Sequence, residues 1–251
     1  MIGFGKTDLG SARANNEDSI FVSNEGVGPL ENLYIISDGM GGHNAGEVAS
    51  GKAIEFFVEH IKTHEGNPTG DGILALMTEA VRYANSSVYS ISCQNRSMSG
   101  MGTTFTVATF MGGRGYIAHL GDSRAYVVKR DGMRQITVDH TYVNDLVRAS
   151  IISDEQARTH HLRNVITRAL GSEPVCEVDA YSVDVEEGDR FLLCSDGLST
   201  MLEDSQIEPV IAGGTDPEII ISRLINFANE KGGVDNISVI LIDEGGTAHD
   251  A

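Results

Sequence analysis

The sequence predicts an α+β protein in which antiparallel sheets are covered by helices. Short runs rich in β-branched, aliphatic and aromatic residues are grouped in blocks, and turn residues separate the runs within a block. Long amphipathic segments occur as separate groups and do not alternate one by one with the strands. A parallel sheet built from βαβ units would require that alternation, so its absence favours antiparallel sheets.

The first part of the chain is predicted to contain a buried strand and two long helices. Residues 33–37 are predicted to form the buried strand, because residues 33–36 are all apolar. The segment from Ala45 to about His64 repeats apolar residues with the helical period, and a second such segment runs from about Ile73 to Ile91.

The middle of the chain changes to a β-meander. Strands are predicted at 103–111, 116–120, 125–129 and 133–137, with glycine-rich turns between them. Residues 141–165 are predicted to be a small helical insertion, because Ser153 and Gln156 have the spacing of a capping box.

The last third is predicted to return to strands at 179–185, 190–194 and 237–242. A helix between the last two begins with Asp216 as its cap and Pro217 in its first turn, and it ends near Lys231. No linker or low-complexity tract divides the 251 residues, so a single domain is expected.

Composition excludes several classes of protein. The net charge of −18 argues against nucleic acid and against anionic membrane surfaces as partners. Most of this charge is explained by solubility, although part of it can belong to a metal site. The three cysteines form no Cys-x-x-Cys pair, and residues 1–6 do not begin a signal peptide. No apolar run approaches the roughly 18 residues of a membrane span, so a cytoplasmic protein is expected.

Four aspartates stand at the ends of strands that are predicted to be buried: Asp38, Asp122, Asp196 and Asp235. One such aspartate is ordinarily a turn residue. Four of them, if they converge, would repel one another without a counter-charge, and this predicts a metal site.

Oxygen ligands of this kind favour Mg²⁺ or Mn²⁺. Asp38 is suited to bridge two ions, and Gly39 can turn its carbonyl toward one of them, while Asp196 and Asp235 would complete the pair. Two such ions can activate a water for attack on phosphorus.

Upstream, the segment Arg13 to Asp18 offers a second set of polar groups. Arg13 has the planar fork that matches phosphate oxygens, and Glu17 and Asp18 can hold metal-bound waters. Taken alone, a segment of this kind is more often a solvated turn than a site.

Seven short motifs occur in the order and spacing of the type 2C, metal-dependent protein phosphatases, and the chain resembles the bacterial branch of that family from about Thr7 to Ile242. The motifs are residues 13–18, 38–43, 102–104, 121–124, 139–140, 195–197 and 235–236.

The resemblance implies an α-β-β-α sandwich of two antiparallel sheets flanked by helix pairs, with metals in the cleft between the sheets. It implies hydrolysis of phosphoserine and phosphothreonine in proteins, with two or three Mn²⁺ or Mg²⁺ ions. Asp38, Gly39, Asp196, Asp235 and Asp18 are the expected metal-site residues, Asp122 would serve a weaker third ion, and Arg13 would clamp the phosphate.

The resemblance also implies a domain spanning residues 1–245, in which a flap at about 141–170 borders the cleft, and a short tail at 246–251. Phosphorylated proteins are the expected substrates, a serine/threonine kinase the expected counterpart, and a monomer the expected state.

One position departs from the eukaryotic relatives, which often carry a histidine directly after the Asp-Gly pair. Met40 stands there, and His43 is the candidate acid, although it can equally be a loop residue. Two alternatives to a protein phosphatase stay open: a catalytically inactive module that binds phosphoproteins, and a hydrolase of small phosphate esters.

Overall fold

Two antiparallel sheets lie face to face in the computed structural model, which describes residues 1–42 and 45–243, with backbone only at Asp154. The first sheet has the order β1 (Ile2–Asp8), β11 (Ile237–Asp243), β10 (Arg190–Cys194), β7 (Arg124–Lys129), β8 (Gly132–Gln135). The second has the order β2 (Asp18–Ser23), β3 (Leu33–Met40), β5 (Phe105–Met111), β6 (Arg114–Leu120), β9 (Asp179–Asp184), and the short β4 (Gly102–Thr103) pairs with the end of β3.

Helices cover both outer faces of the pair of sheets. The helices are α1 (Ala45–Thr63), α2 (Asp71–Gln94), α3 (Tyr142–Arg148), α4 (Asp154–Arg158), α5 (Asp196–Ser199), α6 (Asp204–Ala212) and α7 (Pro217–Glu230), with a 3-10 turn at Arg96–Met98. Helices α1 and α2 share a core with the second sheet, and α5, α6 and α7 share one with the first. The predicted α-β-β-α sandwich is therefore confirmed.

Strand periodicity explains why the central strands read as continuous apolar runs. In β3, Tyr34 and Ile36 enter the core between the sheets, whereas Leu33 and Ile35 face the helices. Successive side chains point to opposite faces, and here both faces are buried. A strand that is buried on both faces packs against both neighbouring layers, and this packing holds it in one register. The residues at its end are therefore fixed in position.

Several predicted details agree with the structure. Ser153 and Gln156 form the capping box of α4, and the Asp216 side chain accepts hydrogen bonds from the amides of residues 218 and 219 at the start of α7. The predicted insertion contains two short helices, α3 and α4.

Several elements were not predicted: β1, β2, α5, α6 and the 3-10 turn at Arg96–Met98. Gly3 and Gly5 weaken the strand signal of β1, and Pro209 lies inside α6, where a proline normally disfavours helix. Tertiary contacts decide these cases, because β1 pairs along its whole length with β11 and the ring of Tyr34 fills the space beside Gly3. None of the helices described within residues 1–42 and 45–243 is both long and apolar enough to cross a membrane.

Candidate metal centre

The two sheets bring the predicted aspartates to one end of the cleft between them. Asp18 and Asp38 are register partners in β2 and β3 of the second sheet. Asp196 directly follows Ser195 at the end of β10, and Asp235 lies just before β11, both in the first sheet. Asp122 lies in the turn between β6 and β7, which joins the two sheets.

Asp38 is the electrostatic centre of this group. Burial raises the pKa of Asp38 well above its usual range, and the charges of Asp18, Asp196, Asp122 and Asp235 raise it further. The charge of Asp235 in turn raises the pKa of both Asp18 and Asp196. The five acids therefore form one mutually repelling group, as the sequence predicts.

The group contains three carboxylate oxygens that are buried without a hydrogen-bond partner: one Oδ1 each of Asp18, Asp122 and Asp196. A buried acceptor left in this state is costly, and a hard cation would satisfy it. Burial raises the pKa of both Asp18 and Asp196 to about 6, which is the response expected of acids without a counter-charge.

The side chains alone do not enclose an ion. Over residues 1–42 and 45–243, no three His, Cys, Asp or Glu side chains are arranged as a ready-made metal-ligand set. A divalent ion at this site would therefore need further oxygens from backbone carbonyls and water, which is the expectation for Mg²⁺ or Mn²⁺.

Asp18 also links the two sheets mechanically. Its Oδ2 atom accepts hydrogen bonds from the hydroxyls of Ser195 (2.8 Å) and Ser238 (2.6 Å), both in the first sheet. Only Oδ1 is left for other partners. Sequence reasoning gave these two serines no role, although Ser195 stands inside a recognised motif.

Gly39 lies where the backbone is too crowded for any side chain. A Cβ atom at this position would be 2.1 Å from the Gly46 carbonyl oxygen and 2.6 Å from that of Glu17. The amide of Gly39 donates to the Glu17 carbonyl oxygen (3.1 Å), and the Glu17 carboxylate accepts a hydrogen bond from the Gly46 amide in the first turn of α1. Glu17 therefore ties the loop before β2 to the segment that carries Gly39.

Asn236 holds the loop that contains Arg13 and Glu17. Its amide nitrogen donates to the carbonyl oxygens of Leu9 (2.9 Å) and Asn15 (3.0 Å), and its Oδ1 atom accepts from the Glu17 amide (2.8 Å). Asn236 belongs to one of the seven motifs, but the motif does not reveal this function. The signal available in the sequence was that Asn236 directly follows Asp235, a candidate metal ligand.

Arg13 forms an ion pair with Asp235, with 2.7 Å between Nη2 and Oδ2. The guanidinium is half exposed and lies in the field of Glu17 and Asp38 as well. The segment is therefore tied into the acidic group and is not an isolated surface turn.

Asp122 is buried, and its neighbour Arg124 binds elsewhere. Arg124 makes a bidentate pair with Asp139, with Nη2 to Oδ2 at 2.7 Å and Nε to Oδ1 at 3.0 Å. Burial, followed by the charge of Asp196, raises the pKa of Asp122. Arg124 is therefore paired with Asp139 and not with the adjacent Asp122.

His43, the candidate acid, and three other histidines lie in different parts of the chain. His43 lies outside the described residues. His119 is fully buried, with Nδ1 2.9 Å from the Thr106 hydroxyl, and burial lowers its pKa to about 3. His160 and His161 stack on each other at the surface of the insertion, with 4.5 Å between their ring centroids.

A cleft of about 1000 Å³ continues from the acids along the insertion. Asp122 and Asp196 are among its lining residues, together with residues of β7, β8, α3, α4, α5 and α6 and of the loops at 137–141 and 163–164.

Comparison with known proteins gives consistent similarities. The profile of the family described as "Protein phosphatase 2C" matches residues 10–236. The serine/threonine phosphatase stp of Listeria innocua is 36% identical over 240 residues, which is 95% of this chain and 94% of that protein.

Two solved structures have the same fold. The S. agalactiae serine/threonine phosphatase has a TM-score of 0.89 at 33% identity, covering 96% of this chain and 98% of that one. The catalytic domain of the serine/threonine protein phosphatase PstP, in complex with two manganese ions, has a TM-score of 0.82 at 36% identity, covering 96% of each chain.

Proposed function

The chain belongs to the metal-dependent protein phosphatase 2C family and is a protein-serine/threonine phosphatase, and we propose that the acids between its sheets are the metal centre of that activity. The observation that carries this proposal is the set of three buried, unpartnered carboxylate oxygens on Asp18, Asp122 and Asp196 around Asp38. Asp38 would bridge two tight ions, Mn²⁺ or Mg²⁺, with Asp196 and Asp235 as further ligands.

The remaining residues of the centre have supporting roles. The Gly39 carbonyl would complete the coordination of one tight ion. Asp18 would contribute through Oδ1, directly or through water, because its Oδ2 atom is already bound by two serines. Asp122 and Asp196 would hold a third, weaker ion. When bound, the ions would supply Lewis acidity and lower the pKa of a water for attack on phosphorus.

Arg13 would orient the phosphate. It is ion-paired with Asp235, and its guanidinium presents several parallel N–H donors for phosphate oxygens. Glu17 would keep the Arg13 loop and the start of α1 in place. His43 remains the candidate that would donate a proton to the leaving oxygen. Met40 cannot take this role, because its thioether has no proton to donate.

A metal-replacement experiment tests the proposal. Hydrolysis of a phosphothreonine peptide should stop when EDTA removes bound metal and should return with Mn²⁺ or Mg²⁺. Full activity in a sample that elemental analysis shows to be free of metal would contradict it. Small phosphate esters, assayed beside the peptide, measure the preference for protein substrates.

We further propose that residues 1–245 form one phosphatase domain that acts as a monomer in the cytoplasm and opposes a serine/threonine kinase. The pairing of β1 with β11 supports the single domain, because it joins the two ends of the chain in one sheet. Limited proteolysis and light scattering test the domain and the monomer. Phosphoproteomics of a deletion strain against wild type tests the opposing kinase and identifies the substrates.

A further inference from the structure

His140 contacts two parts of the molecule through its two ring nitrogens. On one side, Nδ1 accepts a hydrogen bond from the Gly121 amide (3.0 Å), and the His140 amide donates to the Gly121 carbonyl oxygen (2.7 Å). Two hydrogen bonds thus join the same pair of residues. The imidazole is almost fully buried, so no solvent competes for these bonds.

Gly121 is the residue immediately before Asp122, and its geometry is restricted. Its φ of +112° lies in the region that favours glycine, and a Cβ atom there would be 2.7 Å from the Thr104 side chain. The turn therefore has little freedom to adjust. Because Asp122 follows directly, the bonds that hold Gly121 also hold the carboxylate with the unpartnered Oδ1 atom.

On the other side, His140 reaches the end of the flap. Its Nε2 atom lies 3.2 Å from Asp179 Oδ2, and Asp179 Oδ1 accepts a hydrogen bond from Arg168 (3.1 Å). Since Nδ1 is an acceptor, Nε2 carries the proton and donates it to Asp179. The His140 carbonyl oxygen also accepts from the Thr167 amide (2.8 Å). Residues 167 and 168 belong to the flap at 141–170.

We propose that His140 is a positioning residue that couples the end of the flap to Asp122 and so sets the affinity of the weaker ion and the turnover that depends on it. The proposal rests on the proposed function, in which Asp122 is a ligand of that ion. Outer residues that orient a ligand typically change affinity or activity by 10- to 100-fold when they are lost. His140 touches neither the phosphate nor an ion in this account.

Two conservative substitutions separate the two sides of the imidazole. In His140→Asn, the side-chain amide oxygen can take the place of Nδ1 and accept the hydrogen bond from the Gly121 amide. The shorter side chain does not reach Asp179. In His140→Gln, the longer side chain reaches Asp179 but places no acceptor beside the Gly121 amide. Tyr181→Phe is the matched control, because it removes only the hydroxyl that donates to Asp179 (3.1 Å).

The experiment measures kcat and KM for a phosphothreonine peptide across Mn²⁺ concentrations, with calorimetric Mn²⁺ titration and thermal unfolding. His140→Gln should lower kcat and the affinity of the weakest Mn²⁺ by about tenfold or more, with KM for the peptide and the tight ions little changed. His140→Asn should recover only part of this loss, because it keeps the bond to Gly121 but not the contact with Asp179, and Tyr181→Phe should resemble wild type. Equal losses in Asn and Gln, or wild-type turnover in Gln, would overturn the proposal.

An Asp122→Ala background distinguishes this inference from the function on which it rests. If Asp122→Ala itself keeps full turnover and the weak ion, the proposed function of Asp122 fails. If it loses both, His140→Gln should cost no further turnover in that background, and an additional loss would overturn the His140 inference alone. Should the Gln variant not fold, Asp179→Ala tests the flap side of the link: kcat should fall with KM unchanged, and an unchanged kcat would contradict the coupling.

Discussion

The guanidinium of Arg13 and the carboxylate of Asp235 are ion-paired, with 2.7 Å between Nη2 and Oδ2. This pair joins the residue proposed to bind phosphate to a residue proposed to bind metal. In the absence of an ion, Arg13 supplies a positive charge beside the acids and partly offsets their repulsion. Because both side chains are partly exposed, the pair is weak enough for a metal ion and a phosphate to replace it.

Arg13→Lys should raise KM for a phosphothreonine peptide several-fold and leave metal affinity nearly unchanged. Lysine keeps the charge beside Asp235 but lacks the planar fork that binds two phosphate oxygens. Steady-state kinetics and calorimetric Mn²⁺ titration provide the measurement. Arg82→Lys, on the exposed side of α2, is the matched control. An unchanged KM in Arg13→Lys would return Arg13 to the role of a surface residue.

Asp38→Asn should lower turnover by about 10³-fold or more while the fold is retained. Asparagine keeps the size of the side chain but removes the charge that would bridge both ions. The measurement is peptide hydrolysis beside circular dichroism. Asp131→Asn, in the exposed turn between β7 and β8, controls for the loss of one charge elsewhere. Near-normal turnover in Asp38→Asn would refute the bridging role.

Asp122→Ala should leave the two tight ions bound and the melting temperature nearly unchanged, while turnover falls strongly and added metal recovers little of it. The reason is that Asp122 would be one of only two carboxylates that hold the weaker ion. Calorimetric metal titration beside the peptide assay decides this, with Asp131→Ala as control. Wild-type turnover, or the joint loss of stability and all metals, would show that Asp122 has another role.

The pH dependence of metal-free stability tests the repulsion within the acidic group. Burial raises the folded-state pKa of Asp38, and it raises those of Asp18 and Asp196 to about 6, so the folded state holds protons that the unfolded state releases above about pH 4. These acids therefore make the free energy of unfolding fall as pH rises from about 4 to about 6 or above. The buried His119, with a pKa lowered to about 3, acts in the opposite direction over this range.

A comparison of wild type with Asp38→Asn separates these effects, because His119 is present in both. In EDTA, the stability gained by Asp38→Asn should be small at about pH 4 and should grow by about pH 7. Urea unfolding at several pH values measures it. A gain that shrinks as pH rises would mean that the acids do not repel one another in the folded protein.

Most strands and helices could be predicted in their order along the chain because those elements carry their own local signal. The double burial of β3 appears as an apolar run, and the caps at Ser153 and Asp216 stand at the starts of α4 and α7. The signal was absent where neighbours decide the structure: β1 contains two glycines and forms by pairing with β11, and α6 contains a proline. The same division applies to the site. Its acids could be recognised from short motifs, whereas the contacts of Ser195, Ser238 and Asn236 are long-range and exist only in the folded structure.

The sequence by itself carried the motifs of the 2C phosphatase family, and the spaced aspartates, Gly39 and Arg13 in those motifs are the residues proposed for its metal centre. Only the tertiary structure decided that Asp18 faces Asp38 and binds Ser195 and Ser238, and that Asn236 holds the Arg13 loop. The physical reason is distance along the chain. A motif records only which residue type stands at a position. Asp18 lies some 180 positions from Ser195 and 220 from Ser238, so its hydrogen bonds to them exist only after the two sheets have packed.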